Sequence, residues 1–298
     1  MKIGEHEVKL TRQDKELFPE AGLTKGDLVE HYRRVADRML PHLHDRALVL
    51  ERYPEGIDED GFFQKKTPGY FPDWIRRVEL PKTKGKVSYV VAEDEATLAY
   101  LANQGTITLH AFLSRVDRPD NPDRLIFDLD PGGTDDFGKV QEAARTVRDA
   151  LADLDAPTFV QTTGSRGLHV VVPLDRSADF DTARDVAHRL CDVLADRHPD
   201  TLTVEQRKDA RGDRIFLDYL RNAYAQHAVV PYSVRAKPGA PIATPLDWDE
   251  ALAGGLSPQK YTVENIARRL GQKKQDPWAD MDRRAVGIDG LAKRLEHT

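Results

Sequence analysis

The sequence predicts an α+β fold with mixed or antiparallel sheets and flanking helices. Segments of strand character at 46–51, 87–92, 124–129, 158–162, 168–173 and 214–219 are interspersed with helical stretches at 24–40, 94–103, 136–154, 182–196 and 262–270. The regular βαβ rhythm of a doubly wound parallel sheet is missing. The second observation is the short TGSRG connection between 158–162 and 168–173, which reads as a hairpin turn.

The elements follow in order. Over 24–40, Thr24 can cap a helix, Asp27 stands at N3, and Leu28, Tyr32, Val35 and Met39 form one stripe. Pro41 is expected to end that helix. Asp94 to Asn103 reads as a short helix stopped by Gly105, and RLIFDL at 124–129 as a strand ending at Pro131-Gly132-Gly133. The next helix carries Val140, Ala144, Val147, Leu151 and Leu154 on one face. Residues 231–247 hold four prolines and read as extended loop, Thr262 to Leu270 as the last helix, and the charged stretch after Trp278 as a peripheral tail.

With 298 residues, 40% hydrophobic, the chain can bury a sizeable core. Apolar runs such as ALVL at 47–50 are far too short for a bilayer span, and MKIGEHEVKL lacks the apolar centre of a signal peptide. The single cysteine, Cys191, excludes an internal disulfide and a zinc ribbon, and fits a reducing cytoplasm. Net charge is -6, which by itself argues mildly against nucleic-acid binding. Yet between Lys65 and Lys86 seven basic residues face two acids, and screening makes local charge decisive.

Three motifs carry chemistry. In IFDLDPGG, Asp128 and Asp130 fall on one face of a strand, roughly 6.5–7 Å apart. Two such carboxylates repel unless a cation lies near them, although a turn and helix cap would also account for acids before Pro-Gly-Gly. Asp218 repeats the theme among apolar neighbours in RIFLDYLRN. Three carboxylates can hold two hard cations with phosphate oxygens completing the shells. In TTGSRGLHVVV, Gly164 and Gly167 allow close backbone approach, Thr163, Ser165 and Arg166 supply donors, and His169 opens the next strand. That combination suits a triphosphate, though a plain hairpin turn would look similar. Arg207, Lys208, Arg211 and Arg214 precede Asp218, and Arg221 and Arg235 follow it.

In order, IFDLDP, TGSRGLHV and FLDYLRN resemble the three motifs of the polymerase domain of bacterial ATP-dependent DNA ligase D, an end-joining member of the archaeo-eukaryotic primase superfamily. ERYPEG, FFQKKTP and LHAF add to the resemblance, which runs from about residue 10 to about 280. It implies a primase-type catalytic core in which Asp128, Asp130 and Asp218 hold two divalent cations, manganese or magnesium. His110, Thr163, Ser165, Arg166, Gly167, His169, Arg211 and Arg235 would surround the incoming nucleoside triphosphate. Phe62 and Phe63 would stack on a base or splay the template, beside Lys65, and Lys15 and Lys25 would grip the 5′-phosphate of the downstream strand. Arg166 and Arg221 stand where relatives often carry Lys and Gln.

The implied organisation is a single domain over 1–280, with a DNA-contacting part at about 1–105, a catalytic core at about 106–245 and a tail at 281–298. The implied activity is template-directed addition of nucleotides, ribonucleotides preferred, at breaks and short gaps in non-homologous end joining. Ku and an ATP-dependent DNA ligase would be partners, in the cytoplasm at the nucleoid, and the chain is too short to include the ligase. Two other readings fit parts of the pattern. DLDPGGT approximates the aspartyl motif of haloacid-dehalogenase phosphatases, which expects a parallel doubly wound sheet. A non-catalytic DNA-end binder would use the basic residues and leave the carboxylates structural.

Overall fold

The computed structural model describes residues 1–132 and 136–296, so Gly133 of the expected turn lies outside the described residues. Among these the chain begins with β1 (Lys2–Ile3), β2 (His6–Glu7), β3 (Glu16–Phe18), β4 (Leu23–Thr24), α1 (Lys25–Leu43), β5 (Leu48–Arg52), β6 (Phe62–Gln64), β7 (Arg77–Pro81) and β8 (Lys86–Val90). It continues through α2 (Glu95–Asn103), β9 (Thr106–Phe112), β10 (Arg124–Pro131), α3 (Phe137–Asp153), β11 (Phe159–Thr162), β12 (Leu168–Pro173), α4 (Phe180–Arg197), β13 (Leu202–Thr203) and β14 (Ile215–Asp218). It ends with β15 (His227–Val229), β16 (Thr244–Leu246), α5 (Trp248–Ala251), α6 (Ile266–Gln272) and α7 (Ile288–Leu295). These elements fall into two compact units, each gathered from three stretches of chain.

The first unit comprises 1–117, 227–243 and 261–274. Its main sheet has the order β15-β9-β5-β8-β7, with β6 paired to β5, and every pairing is antiparallel. α1 packs on α2 and buries the expected stripe of Leu28, Tyr32, Val35 and Met39. Thr24 and Asp27 form the reciprocal capping box the sequence suggested. Pro41 does not end α1. The helix runs on to Leu43, which is fully buried, and that burial outweighs the one backbone bond a proline removes. α6 starts at Ile266 rather than Thr262, because Thr262 is held extended in a bridge to Pro241.

The second unit comprises 118–226, 244–260 and 275–298. Its sheet runs β13-β14-β10-β12-β11-β16, antiparallel except for the parallel pair β13–β14. The proline-rich stretch is not all loop: Thr244–Leu246 pairs with β11 as an edge strand, where Pro245 is tolerated. The stretch expected as a peripheral tail contains, among its described residues, the helix α7. Ile288, Leu291 and Leu295, spaced three and four apart, form a buried stripe on α7, which packs on α4. Among the described residues no helix is long and apolar enough to cross a membrane.

Candidate active site

The centre of the second unit's sheet presents one polar rung. Asp128 on β10 lies directly opposite His169 on β12 and Asp218 on β14. The neighbouring rung, Leu168, Leu129 and Leu217, is fully buried on the other face. Side-chain alternation along hydrogen-bonded strands therefore sets which residues meet. Asp130, two residues on, shares the face of Asp128 and is a third exposed.

Each carboxylate meets a cationic group. Arg221 Nε lies 3.4 Å from Asp128 and 3.6 Å from Asp218. Asp130 is 3.3 Å from Arg166 and 3.7 Å from Arg211. His169 Nε2 is 3.5 Å from Asp128, and the Gln161 amide donates to Nδ1 at 3.2 Å. That bond leaves the ring proton on Nε2, facing the carboxylate. Burial, and then the charge of Asp128, push the Asp218 carboxyl above its ordinary value, against the Leu220 N–H, Arg221 and Arg211. Among the described residues no three of His, Cys, Asp or Glu converge on one ion position. Asp128 and Asp218 do converge as a pair across adjacent strands, while Asp130 is turned to its arginines. Two hard carboxylates sharing one positive charge are a donor set suited to a hard cation.

The 163–167 turn is organised from within. The Thr163 hydroxyl donates to the Gly167 carbonyl at 3.2 Å and accepts from the N–H groups of Ser165 and Gly167 at 3.3 and 3.2 Å. Two backbone N–H groups of the turn thus face Thr163 rather than outward, the Ser165 hydroxyl takes no part in these bonds, and the outward cation is Arg166, half exposed. Gly164 takes a left-handed φ of 64°, which suits glycine. A Cβ on Gly167 would collide with the Leu129 carbonyl oxygen, so only glycine lets the turn close against β10. Arg211 is fixed: it donates to the carbonyls of Glu205 and Gln206 at 2.8 and 2.7 Å and stacks 3.8 Å over the Phe216 ring.

Asn222, which sequence reading missed, ties the strands together. Its Oδ1 accepts the Ile126 N–H at 2.8 Å, and its Nδ2 donates to the carbonyls of Ile126 and Tyr219 at 2.7 and 3.0 Å. The carboxamide continues the β14 ladder where the strand itself has ended. Gln161 was also missed; a polar residue inside the apolar FVQT strand was the available signal.

The remaining expected site residues lie in the first unit. His110 on β9 is 3.5 Å from Glu51, and its ring meets those of Phe63 and His227 at 5.7 and 5.0 Å. Burial opposes ionisation of Glu51, but the polar side chains of His110 and Thr108, with the charges of His110 and Arg235, outweigh it and hold the carboxyl below its ordinary value. Phe62 and Phe63 are exposed but do not share a face. Phe63 turns to His110 and His227, whereas Phe62 lies under the Arg52 guanidinium at 5.5 Å. Consecutive strand residues point opposite ways. Lys65 is exposed just beyond β6.

Lys15 and Lys25 lie together at the start of α1. Lys15 pairs with Glu55, and Arg12 is 4.0 Å from the same carboxylate. Burial, then the charges of Arg12 and Lys15, push the Lys25 amine below its ordinary value. The helix N-terminus itself is occupied, since the N–H groups of Lys25, Gly26 and Asp27 go to Lys15 O, Gln13 O and the Thr24 hydroxyl at 2.7, 2.8 and 3.2 Å. Backbone donors are therefore not free at this end of the helix, and its positive charge is that of the Arg12, Lys15 and Lys25 side chains.

Carboxylates on neighbouring antiparallel strands, arginines around them and a glycine turn against the same strand are compatible with phosphate chemistry. The class is that of polymerase-type nucleotidyltransferases with a primase-like core. The chain belongs to the LigD primase-polymerase domain family, whose model matches residues 24–278. It is 34% identical over 274 residues to the multifunctional non-homologous end joining DNA repair protein LigD of Mycobacterium tuberculosis, covering 89% of this chain and 36% of that protein. It is 28% identical over 277 residues to the bifunctional LigD of Bacillus subtilis, covering 93% of this chain and 44% of that one. The chain thus spans less than half the length of these relatives. The solved polymerase domain from Mycobacterium tuberculosis ligase D, in complex with DNA, superposes with a TM-score of 0.89 at 31% identity, over 95% of this chain and 100% of that one. The mixed, largely antiparallel sheet around Asp128 is not the parallel doubly wound sheet of the dehalogenase-type phosphatases, and that reading is set aside.

Proposed function

We propose that this chain extends 3′ ends at DNA breaks and short gaps, copying a template, as the polymerase component of non-homologous end joining. The observation that carries this reading is the rung of His169, Asp128 and Asp218 across three adjacent strands. Asp128, Asp130 and Asp218 would hold divalent cations, manganese first and magnesium as the alternative. Such ions supply activation of the attacking hydroxyl and charge stabilisation on the leaving pyrophosphate. His169, oriented by Gln161, fixes the Asp128 carboxylate. Arg166 and Ser165 offer donors to a triphosphate, Gly167 keeps the turn closed on the strand, and Thr163 keeps the turn in shape. Arg211 presents a rigid positive charge beside Asp130. His110 and Arg235 are further nucleotide contacts, and ribonucleotides are the preferred substrates.

On the DNA side, Lys15 and Lys25 bind the 5′-phosphate bordering the gap. The exposed Phe63 and Phe62, with Lys65, engage the template strand, where aromatic stacking is tolerant of sequence. Ku and an ATP-dependent DNA ligase are the partners in this role, and the cytoplasm, at the nucleoid, is its place. The test is primer extension on a gapped, 5′-phosphorylated duplex with each metal and each nucleotide set. Asp128→Ala and Asp130→Ala should abolish addition while gel-shift binding to the duplex persists. Normal extension by either variant removes the proposal. DNA binding by the unaltered protein without incorporation under any metal would leave a non-catalytic end binder.

A further inference from the structure

We propose that Arg221 is an exchangeable counter-ion that bridges Asp128 and Asp218 and must swing aside before a divalent cation enters between them. It thereby sets how much metal the site needs. The inference rests on the metal reading given above. Two carboxylates brought into register across antiparallel strands repel, and a positive charge between them relieves the repulsion. Arg221 supplies it through Nε, at 3.4 and 3.6 Å.

The backbone carrying Arg221 is fixed. The Leu220 N–H donates to Asp218 Oδ1 at 2.8 Å, and the Asn222 carboxamide anchors the turn to Ile126 and Tyr219. The side chain is not fixed in this way. It is 43% exposed, and among the described residues its ion-pair partners are those two carboxylates alone. Arg211 differs in every respect: two backbone carbonyls hold its guanidinium, an aromatic ring lies beneath it, and its side chain is 6% exposed. One arginine is therefore a permanent part of the wall, and the other can return to water by giving up only the contacts a cation would replace.

A site whose open form is only part of the population binds with its intrinsic affinity reduced by the open fraction. A half-exposed bridging arginine keeps the site closed in most molecules, which weakens cation binding by roughly 3- to 10-fold. The experiment titrates the protein, without nucleotide or DNA, with Mn2+ and reads free Mn2+ by electron paramagnetic resonance. Unaltered protein, Arg221→Gln, Arg221→Lys and Asp128→Asn are compared, with thermal melts confirming that each folds. Arg221→Gln should bind Mn2+ about 3- to 10-fold tighter than the unaltered protein. Arg221→Lys, which keeps the charge and with it the fold, should fall between the two. Asp128→Asn should lose the site. If Asp128→Asn loses the site but neither Arg221 variant binds tighter, this inference fails while the metal reading stands. If Asp128→Asn binds as the unaltered protein does, both fail.

Discussion

Asn222→Ala is the perturbation whose cost is most directly worked from the structure. Asn222 is 1% exposed, and its carboxamide pairs with both the N–H and the carbonyl of Ile126, at 2.8 and 2.7 Å. Ile126 is itself buried, so truncation leaves two backbone groups without a partner in a place water reaches poorly. A buried unsatisfied group costs roughly 1–3 kcal/mol, and two of them, eased by some relaxation, come to about 3 kcal/mol. For a chain of this size, with an unfolding entropy of about 2.1 cal/mol/K per residue, that lowers the melting temperature by roughly 5 °C. Asn121→Ala is the natural comparison, because its side chain donates a single bond, to Ala178 O at 2.9 Å, and it should cost about 1 kcal/mol. Urea denaturation followed by circular dichroism measures both. If Asn222→Ala is no more destabilising than Asn121→Ala, the carboxamide is not standing in for a missing strand residue and the reasoning is refuted.

His31 is buried against the Tyr232 carbonyl at 3.1 Å, and burial pushes its ring down to about 4 from 6.5, with the Tyr232 bond opposing and Arg34 assisting. Its neutral form contributes stability in full above pH 6.5, and this is lost as pH falls toward 4, by about 3 kcal/mol over the window. His31→Gln should lose less stability than the unaltered protein between pH 7 and 4.5 in urea titrations, and parallel losses would remove the assignment. Lys15→Ala/Lys25→Ala should erase a preference for a 5′-phosphorylated over a hydroxyl-ended gap, an advantage of about 10- to 100-fold that also shrinks with salt. Competition binding measures it, and equal binding of the two duplexes by the unaltered protein would rule out end recognition.

What could be read in the sequence was local. The cap of α1, its stripe and the strand carrying Asp128 and Asp130 depend on neighbours a few residues away, and all three stand as expected. The three motifs were recognisable because each concentrates unusual residue types in a short span. Register was not legible. Nothing in RIFLDYLRN says that Asp218 stands opposite Asp128 rather than Asp130, since cross-strand pairing is decided by the whole sheet. Arg221 read as a substitution of uncertain effect until the pairing brought it within reach of both carboxylates. The occupants of the α1 N-terminus, Lys15 O and Gln13 O, come from the chain before β3, about ten residues away, and were not legible locally. Pro41 misled because local preference was overridden by the burial of Leu43.

Mounting the acids on strands, not loops, limits how relatives of this chain can differ in length. Adding or deleting one residue within Arg124–Pro131 would carry every side chain beyond it to the opposite face and drive carboxylates into the packed leucine layer. The same change in Ile215–Asp218 would separate Asp218 from Asp128. Insertions can accumulate only in connections, where they leave the numbering of the ladder intact. The 163–167 connection is an exception, because its Gly167 is pressed against Leu129 and a longer loop would lift Arg166 off Asp130. Across descendants of this fold, the spacing within those three segments should therefore stay constant even where residue identity drifts.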